Sequence, residues 1–284
     1  MRLDAALVAR GLARSRGHAR DLIGLGVVRV GDVVAVKGSR PVQDDEVLFV
    51  EARSGALDPS WVSRGAGKLR GALDELPDGG PRITGTRAAD VGACTGGFTQ
   101  VLLRRGAASV VAIDVGHDQL APELRDDPRV VDLSGHNIRD LTASDIGGTV
   151  DLLVADVSFI SLTLIMGRLA AMVRPGGDLV LLVKPQFEVG RAGLDGRGVV
   201  RPGRWRGAAL RTVLRSAVDE GLILRGIVVS RTPGQDGNTE YVAWLARPAA
   251  PDVAPSWQAV SDSIDHVVGI DDTIRPDTGG GQRR

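Results

Sequence analysis

Cysteine is nearly absent from this 284-residue chain: with Cys94 alone no internal disulfide can form, which fits a reducing compartment rather than a secreted scaffold. Net charge is absent too, 35 basic residues standing against 35 acidic ones, so any nucleic-acid surface has to be a local patch rather than a global field. Long apolar runs are missing. Leu152–Ala155 and Leu179–Val183 are far too short to span a bilayer, and the N-terminus carries no signal-peptide apolar core, so a soluble, cytoplasmic protein is expected. No histidine–cysteine cluster has metal-ligand spacing, so no metal is expected, and His117 and His136 read as surface residues. What is present is 43 % hydrophobic residues, enough for a proper core in one large domain with a small companion, or in two moderate ones.

The stretch that organises the chain is Ala89-Asp90-Val91-Gly92-Ala93-Cys94-Thr95-Gly96-Gly97-Phe98-Thr99. An apolar run, closely spaced glycines and an apolar-periodic continuation from Val101 read as strand, glycine loop and helix. Such a turn lets the backbone approach a ligand and presents unpaired N–H groups to it. Ala93 and Cys94 follow Gly92, so the G-x-G-x-x-G spacing of dinucleotide binders is lacking and NAD is disfavoured. A second apolar run, Val110–Ile113, ends at Asp114, where doubly wound folds commonly place a carboxylate against a ribose diol. Together these residues resemble the S-adenosylmethionine site of Rossmann-like methyltransferases; the alternative is another doubly wound nucleotide binder.

Residues 1 to about 53 form a unit of their own. Leu3, Ala6, Leu7 and Ala9 recur at helical spacing up to Gly11, and Ser15 reads as the N-cap of a second helix through Ile23. Val27–Val30, Val33–Val36 and Val47–Val50 read as short strands. Basic residues gather at the start, Arg2, Arg10, Arg14, Arg16 and Arg20 against Asp4 alone, and a solvated helix is the alternative to a phosphate-binding face. The pattern Arg2-Leu3-Asp4, Gly11 to Arg16, Ala19, Leu22-Ile23, Gly26, Val28, Val30 and Val36-Lys37 resembles the small α+β, S4-like alpha-L RNA-binding domain. That resemblance implies Arg2, Arg14, Arg16 and Lys37 as phosphate contacts, with Arg20 beside them.

Residues 54–62 read as a linker, broken by Gly55 and Pro59. Beyond it the chain alternates as a doubly wound α/β fold does, in a Rossmann-like seven-stranded sheet, over residues 63–247. Strands are predicted near 87–91, 109–113, 130–133, 151–155, 179–183, 223–229 and 239–246, and helices near 97–105, 118–124, 160–173 and 204–220. Gly190–Gly203, rich in glycine and arginine, reads as a loop over the site. Residues 248–284 read as mostly disordered, with room for a short helix around Trp257–Val268.

Asp156 ends the run Asp151–Ala155 and Lys184 ends Asp178–Val183, placing both where ligands gather beyond the carboxyl ends of strands. Lys68 sits in the first turn of a helical stripe, poorly matched to the helix dipole, and Glu240 opens an apolar strand. The set Lys68, Asp156, Lys184 and Glu240 resembles the Lys-Asp-Lys-Glu signature of FtsJ-like RNA ribose 2′-O-methyltransferases. The segments Ser63-Arg64-Gly65, Asp90–Thr99, Ala112–Gly116, Asp156–Ser161 and Lys184–Glu188 resemble the TlyA family, some of whose members carry a haemolysin label. The absence of a spanning or markedly basic amphipathic stretch argues against membrane lysis.

That resemblance implies methylation of cytidine ribose in ribosomal RNA, of the large subunit and, given the basic N-terminal module, of the small subunit too, by a monomer that meets ribosomal RNA or ribosomal subunits and no membrane. It implies S-adenosylmethionine as cofactor, cradled by Asp90, Gly92, Gly96, Gly97 and Phe98, with Asp114 on the ribose and Asn137 and Ile138 near adenine. Arg64 joins the RNA contacts. For the chemistry, Lys184 is the expected proton acceptor, Lys68 the neighbouring cation, Asp156 the group orienting Lys184, and Glu240 the partner of Lys68 or of the ribose. A lysine takes a proton only when neutral, a state that desolvation or a second cation favours. Two rivals remain: an RNA base methyltransferase, whose Asn/Asp-Pro-Pro-aromatic motif is replaced here by Asp156-Val157-Ser158-Phe159, and a non-catalytic ribosome assembly factor.

Overall fold

The computed structural model describes residues 1–13, 16–24, 26–50, 60–201, 204–234, 237–250 and 256–274. It divides into two compact units, Met1–Gly67 and Lys68–Arg284. Ser15 and Arg14, and most of the expected linker, lie outside the described residues.

In the first unit, helices α1 (Leu3–Ala9) and α2 (Arg16–Gly24) precede strands β1 (Val28–Val30), β2 (Val33–Val34) and β3 (Leu48–Val50), paired antiparallel in the order β2-β1-β3. Leu3, Leu7, Ala19, Leu22, Ile23, Val28 and Val30 form its core. Gly11, at φ +70°, ends the first helix turn where a side chain would be strained. The turn at residues 37–40 is tied to the start of α1, Leu3 donating its N–H to the Arg40 carbonyl at 2.8 Å and Asp4 to that of Gly38 at 3.0 Å.

The chain continues through α3 (Arg64–Glu75), β4 (Arg87–Val91), α4 (Gly97–Arg104), β5 (Ser109–Asp114), α5 (Pro122–Arg125), β6 (Val130–Ser134), β7 (Val150–Ala155), α6 (Met166–Met172), β8 (Val173–Val183), α7 (Arg204–Asp219), β9 (Ile223–Val229), β10 (Tyr241–Ala246) and α8 (Trp257–Ile274). The seven strands run in the order β6-β5-β4-β7-β8-β10-β9, β10 alone lying antiparallel to its neighbours. The central strands β4, β5, β7 and β10 and the second half of β8 are dominated by buried Val, Leu, Ile and Ala, as a sheet covered on both faces requires, whereas the edge strands β6 and β9 are more exposed. The chain leaves β4 toward β5 on one side and returns as β7 on the other, so the crevice at the carboxyl ends of β4 and β7 is the topological switch point.

Four elements differ from the sequence prediction. Helix α3 begins at Arg64, which puts Lys68 beyond its first turn and removes the expected mismatch with the helix dipole. The helix expected over 118–124 is confined to Pro122–Arg125, because Pro122 fits the first helical turn and Asp118 before it has φ +52°. The helix expected over 160–173 is a 3₁₀ turn, Leu162–Leu164, followed by α6, because β8 begins at Val173 rather than near 179. Its extra residues form a bulge: Val150 and Leu152 of β7 pair with Val173 and Asp178, and Pro175-Gly176-Gly177 take up the slack. Finally, the segment expected to be mostly disordered holds α8, whose Val260, Ile264 and Val267 are buried in the core.

Candidate active site

The glycine loop follows from β4 into α4. Asp90, fully buried, accepts the Thr99 backbone N–H at 2.8 Å and its hydroxyl at 2.7 Å on Oδ2, closing the turn from strand to helix. Its Oδ1 is buried without a hydrogen-bond partner among the described residues. Burial, opposed by the Thr99 bonds and reinforced by the nearby Asp156 and Asp114 charges, pushes its carboxyl up from 3.8 to about 7. Gly92 has φ +83°, and a Cβ there would stand 2.5 Å from the Asp156 carbonyl oxygen. Gly96, at φ +92°, would overlap Leu124 in the same way. These two positions demand glycine on both grounds, and Gly97 opens α4 beside a buried Phe98.

Asp114 closes β5 with each carboxylate oxygen holding the loop: Oδ2 accepts the Cys94 N–H at 2.8 Å and Oδ1 the Gly116 N–H at 2.7 Å. Each oxygen keeps a further lone pair for a diol. Asn137 is exposed, its Oδ1 accepting the Arg139 N–H at 3.0 Å, while Ile138 is 6 % exposed and belongs to the core. An orphaned buried carboxylate oxygen, a loop that a Cβ would fill and a carboxylate at the next strand end fit a cationic, ribose-bearing cofactor.

The four predicted chemical residues form two ion pairs. Lys68, on α3, donates from Nζ to Glu240 Oε2 at 2.6 Å, and both side chains are almost fully buried. Lys184 Nζ lies 2.6 Å from Asp156 Oδ1 and donates to Ser158 Oγ at 2.7 Å. Asp156 and Lys184 follow β7 and β8 at their carboxyl ends. Glu240 reaches the same sheet edge because β10 runs the other way, pairing Tyr241 with Val183. Gln186, in the 3₁₀ turn Pro185–Phe187 after Lys184, donates to Glu240 Oε1 at 3.2 Å and so links the two pairs.

Four further residues around the site were given no role by sequence. Ser158 and Gln186 each lie two positions beyond a charged strand end, and that spacing was the available signal. Glu188 accepts the Ser161 hydroxyl at 2.5 Å and the Leu162 N–H at 2.9 Å, tying the loop after β8 to the loop after β7; burial raises its carboxyl above the ordinary value. Phe159 has φ +64° and is 89 % exposed, its ring centroid 5.2 Å from that of Phe187. A large aromatic held in a left-handed conformation and turned to solvent is a strained arrangement, of the kind that clusters at ligand clamps.

In the first unit, Arg2 and Arg16 both grip the buried Asp4, through Arg2 Nε to Oδ1 at 3.1 Å and Arg16 Nη2 to Oδ2 at 3.0 Å. The Arg2 hydrogen bond, then that of Arg16, holds the Asp4 carboxyl well below the usual carboxylate range. Arg20 packs its stem beside Gly38, next to the exposed Lys37, so Arg2, Arg16, Arg20 and Lys37 come together around Asp4 and the 37–40 turn. Arg10 is spent structurally, donating to the carbonyls of Gln43, Asp44 and Glu46. Arg14 lies outside the described residues, and Arg64 is the first residue of α3.

A seven-stranded sheet with a glycine loop at its switch point and paired charges beyond β7 and β8 defines a class. Residues 61–247 match the FtsJ-like methyltransferase family, S-adenosylmethionine-dependent enzymes, and residues 1–48 match the S4 domain. The chain is 46 % identical over 94 % of its length to the 16S/23S rRNA (cytidine-2′-O)-methyltransferase TlyA of Mycobacterium tuberculosis, 97 % of which is covered. It is 30 % identical over 72 % of its length to the 23S rRNA (cytidine-2′-O)-methyltransferase TlyA of Campylobacter jejuni, 79 % of which is covered. A solved structure of a hemolysin-named protein from Streptococcus thermophilus matches with a TM-score of 0.73 and 32 % identity, covering 98 % of either chain. The chain belongs to the TlyA family. Among its described residues no helix is long and apolar enough to cross a membrane.

Proposed function

We propose that this chain, acting in the cytoplasm as a monomer, methylates the 2′-hydroxyl of a cytidine ribose in ribosomal RNA, in the large subunit and in the small subunit as well. The observation that carries the reading is the meeting of Lys184–Asp156, past the ends of β8 and β7, with Lys68–Glu240, from α3 and the start of β10, at one sheet edge beside the glycine loop. S-adenosylmethionine, when bound, supplies an electrophilic methyl carbon on a sulfonium that departs as a neutral thioether.

Asp90 and the backbone of Gly92, Gly96 and Gly97 hold the cofactor's methionine end, and Asp114 its ribose. Lys184 Nζ is the atom that receives the hydroxyl proton as the methyl is transferred. Asp156 and Ser158 fix that nitrogen from two sides, which leaves it little freedom to miss the hydroxyl. Lys68, held by Glu240, supplies the fixed positive charge that steadies the developing alkoxide. Phe159 offers its exposed face to the target base, a stack that any flipped pyrimidine accepts. In the other unit Arg2, Arg16, Arg20 and Lys37 contact phosphates, and the small-subunit activity rests on this basic face together with the name of the M. tuberculosis relative.

Purified protein incubated with methyl-labelled cofactor and separated ribosomal subunits tests this. Ribose methyls are expected on cytidines of both subunits, and Lys184→Ala should retain cofactor binding while losing on the order of 100-fold or more in transfer rate. Full-rate transfer by that variant would overturn the role of Lys184. Methyl on a base would favour the base-methylating rival, and no labelling despite bound cofactor the assembly factor.

A further inference from the structure

The charged cluster that the mechanism leaves unused lies just beyond the Lys184 loop. From Gly190 to Arg206 there are five arginines, 191, 197, 201, 204 and 206, against the single acid Asp195, in a chain whose overall charge is zero. Residues 190–201 form a hairpin. Arg191–Gly193 make a 3₁₀ turn, Leu194 bridges Val200, and Asp195 donates its N–H to the Val199 carbonyl at 2.8 Å. The one acid is turned inward to shape the tip, its Oδ1 accepting the N–H groups of Arg197 at 2.8 Å and Val199 at 2.9 Å. Arg191, Arg197 and Arg201 project outward and are exposed. The pair of Arg197 with Asp195, at 3.5 Å and with the arginine 84 % exposed, is of the weak surface kind that a phosphate displaces readily.

The hairpin is also fixed to the active-site edge of the sheet. Asn238, 3 % exposed, accepts the Val200 N–H on Oδ1 at 2.9 Å and donates to the Gly198 carbonyl at 3.2 Å, and it lies two residues ahead of Glu240. At the other end Gly193 sits so close to Val189 that a Cβ would overlap it, and would come within 3.0 Å of the Trp205 ring. An arginine-rich hairpin bolted at both ends to the segments that carry Lys184 and Glu240 is placed at a set reach from the reacting group.

We propose that Arg191, Arg197 and Arg201 of this hairpin form an RNA-backbone clamp, binding phosphodiesters of the substrate RNA next to the ribose being methylated. The inference rests on the functional reading above and adds to it a contact surface within the catalytic unit, separate from the S4 domain. Guanidinium groups suit it because they bind phosphate oxygens in a bidentate fork. Their contribution releases condensed counterions and therefore carries a salt signature.

The test uses the full chain with Arg191→Ala, Arg197→Ala and Arg201→Ala combined, measuring binding to deproteinised ribosomal RNA over salt from about 0.05 to 0.3 M, together with KM and kcat. All three side chains are exposed, so folding should be unaffected. The slope of log affinity against log salt should flatten by about 2 to 3, at roughly 0.7–0.9 per lost contact. KM for RNA should rise about 10-fold or more while kcat at saturating RNA stays within about twofold and cofactor affinity is unchanged. The matching triple lysine variant should recover most of the slope. If the wild type methylates RNA and the alanine variant shows the same slope and KM, the clamp is refuted while the activity stands. If the wild type transfers no methyl but the variant loses RNA affinity with the predicted slope, the clamp stands and the activity falls.

Discussion

At the scale of single residues, Asp90 shows how burial beside two other carboxylates changes what a carboxylate does. With its folded value near 7 and an ordinary value of 3.8, the native state keeps a proton that the unfolded chain has already released between those limits. The contribution of Asp90 to stability is therefore complete at low pH and declines as pH rises from about 4 to about 7. Glu188 and Asp178, also raised by burial, act in the same sense, so the informative quantity is the difference between wild type and Asp90→Asn. Urea unfolding of the cofactor-free protein at a series of pH values should show that difference shifting in favour of the Asn variant as pH rises across the window. A difference independent of pH would mean that Asp90 is ionised in the fold.

At the scale of elements, ion pairs join strands and helices far apart in sequence. Lys68 on α3 and Glu240 ahead of β10 are 172 residues apart, and each is the other's buried counter-charge. Removing one leaves the other charged and unpaired, so Lys68→Met should lower stability by roughly 3–5 kcal/mol, measured by denaturant unfolding. Adding Glu240→Gln should restore most of it without restoring methyl transfer; recovery of transfer would make the pair merely structural. On α1, Asp4 aims Arg2 and Arg16 together. Asp4→Asn makes the protein more positive, which by charge alone would strengthen RNA binding, yet loss of the preset arginine pair should weaken it about 3- to 10-fold. Filter binding to ribosomal RNA decides the sign.

At the scale of the whole molecule, α8 extends the core beyond the FtsJ-like segment. Val260, Ile264 and Val267 are buried, Arg215 lies 3.5 Å from the centroid of the Trp257 ring, and Arg211 pairs with Asp265 at 2.5 Å. Ending the chain at Ala250 should cost on the order of a few kcal/mol, since each buried aliphatic side chain contributes about 1.5–3 kcal/mol before the entropy of ordering the helix is subtracted. A lowered urea midpoint with unchanged transfer per folded molecule is the expected result; an unchanged midpoint would mean that α8 adds nothing to the fold.

Local pattern marked the carboxyl ends of the central strands. Asp114, Asp156 and Lys184 at or just past the ends of β5, β7 and β8, and Asp90 near that of β4, were legible because each breaks an apolar run that only a buried strand needs, and the glycines of the loop because a close approach excludes Cβ. The S4-like pattern was legible for the same reason, through helical spacing ended by glycine. Which charge meets which, by contrast, was settled only by folding. Lys68 finds Glu240 because β10 enters antiparallel beside β8, a choice no local pattern encodes. The bulge that lengthens β8, the left-handed Phe159 and the docking of α8 likewise depend on contacts made after the chain has folded back on itself. Periodicity and punctuation are local properties of a chain, whereas register, charge pairing and burial of a polar tail segment are settled by neighbours that sequence order keeps far apart.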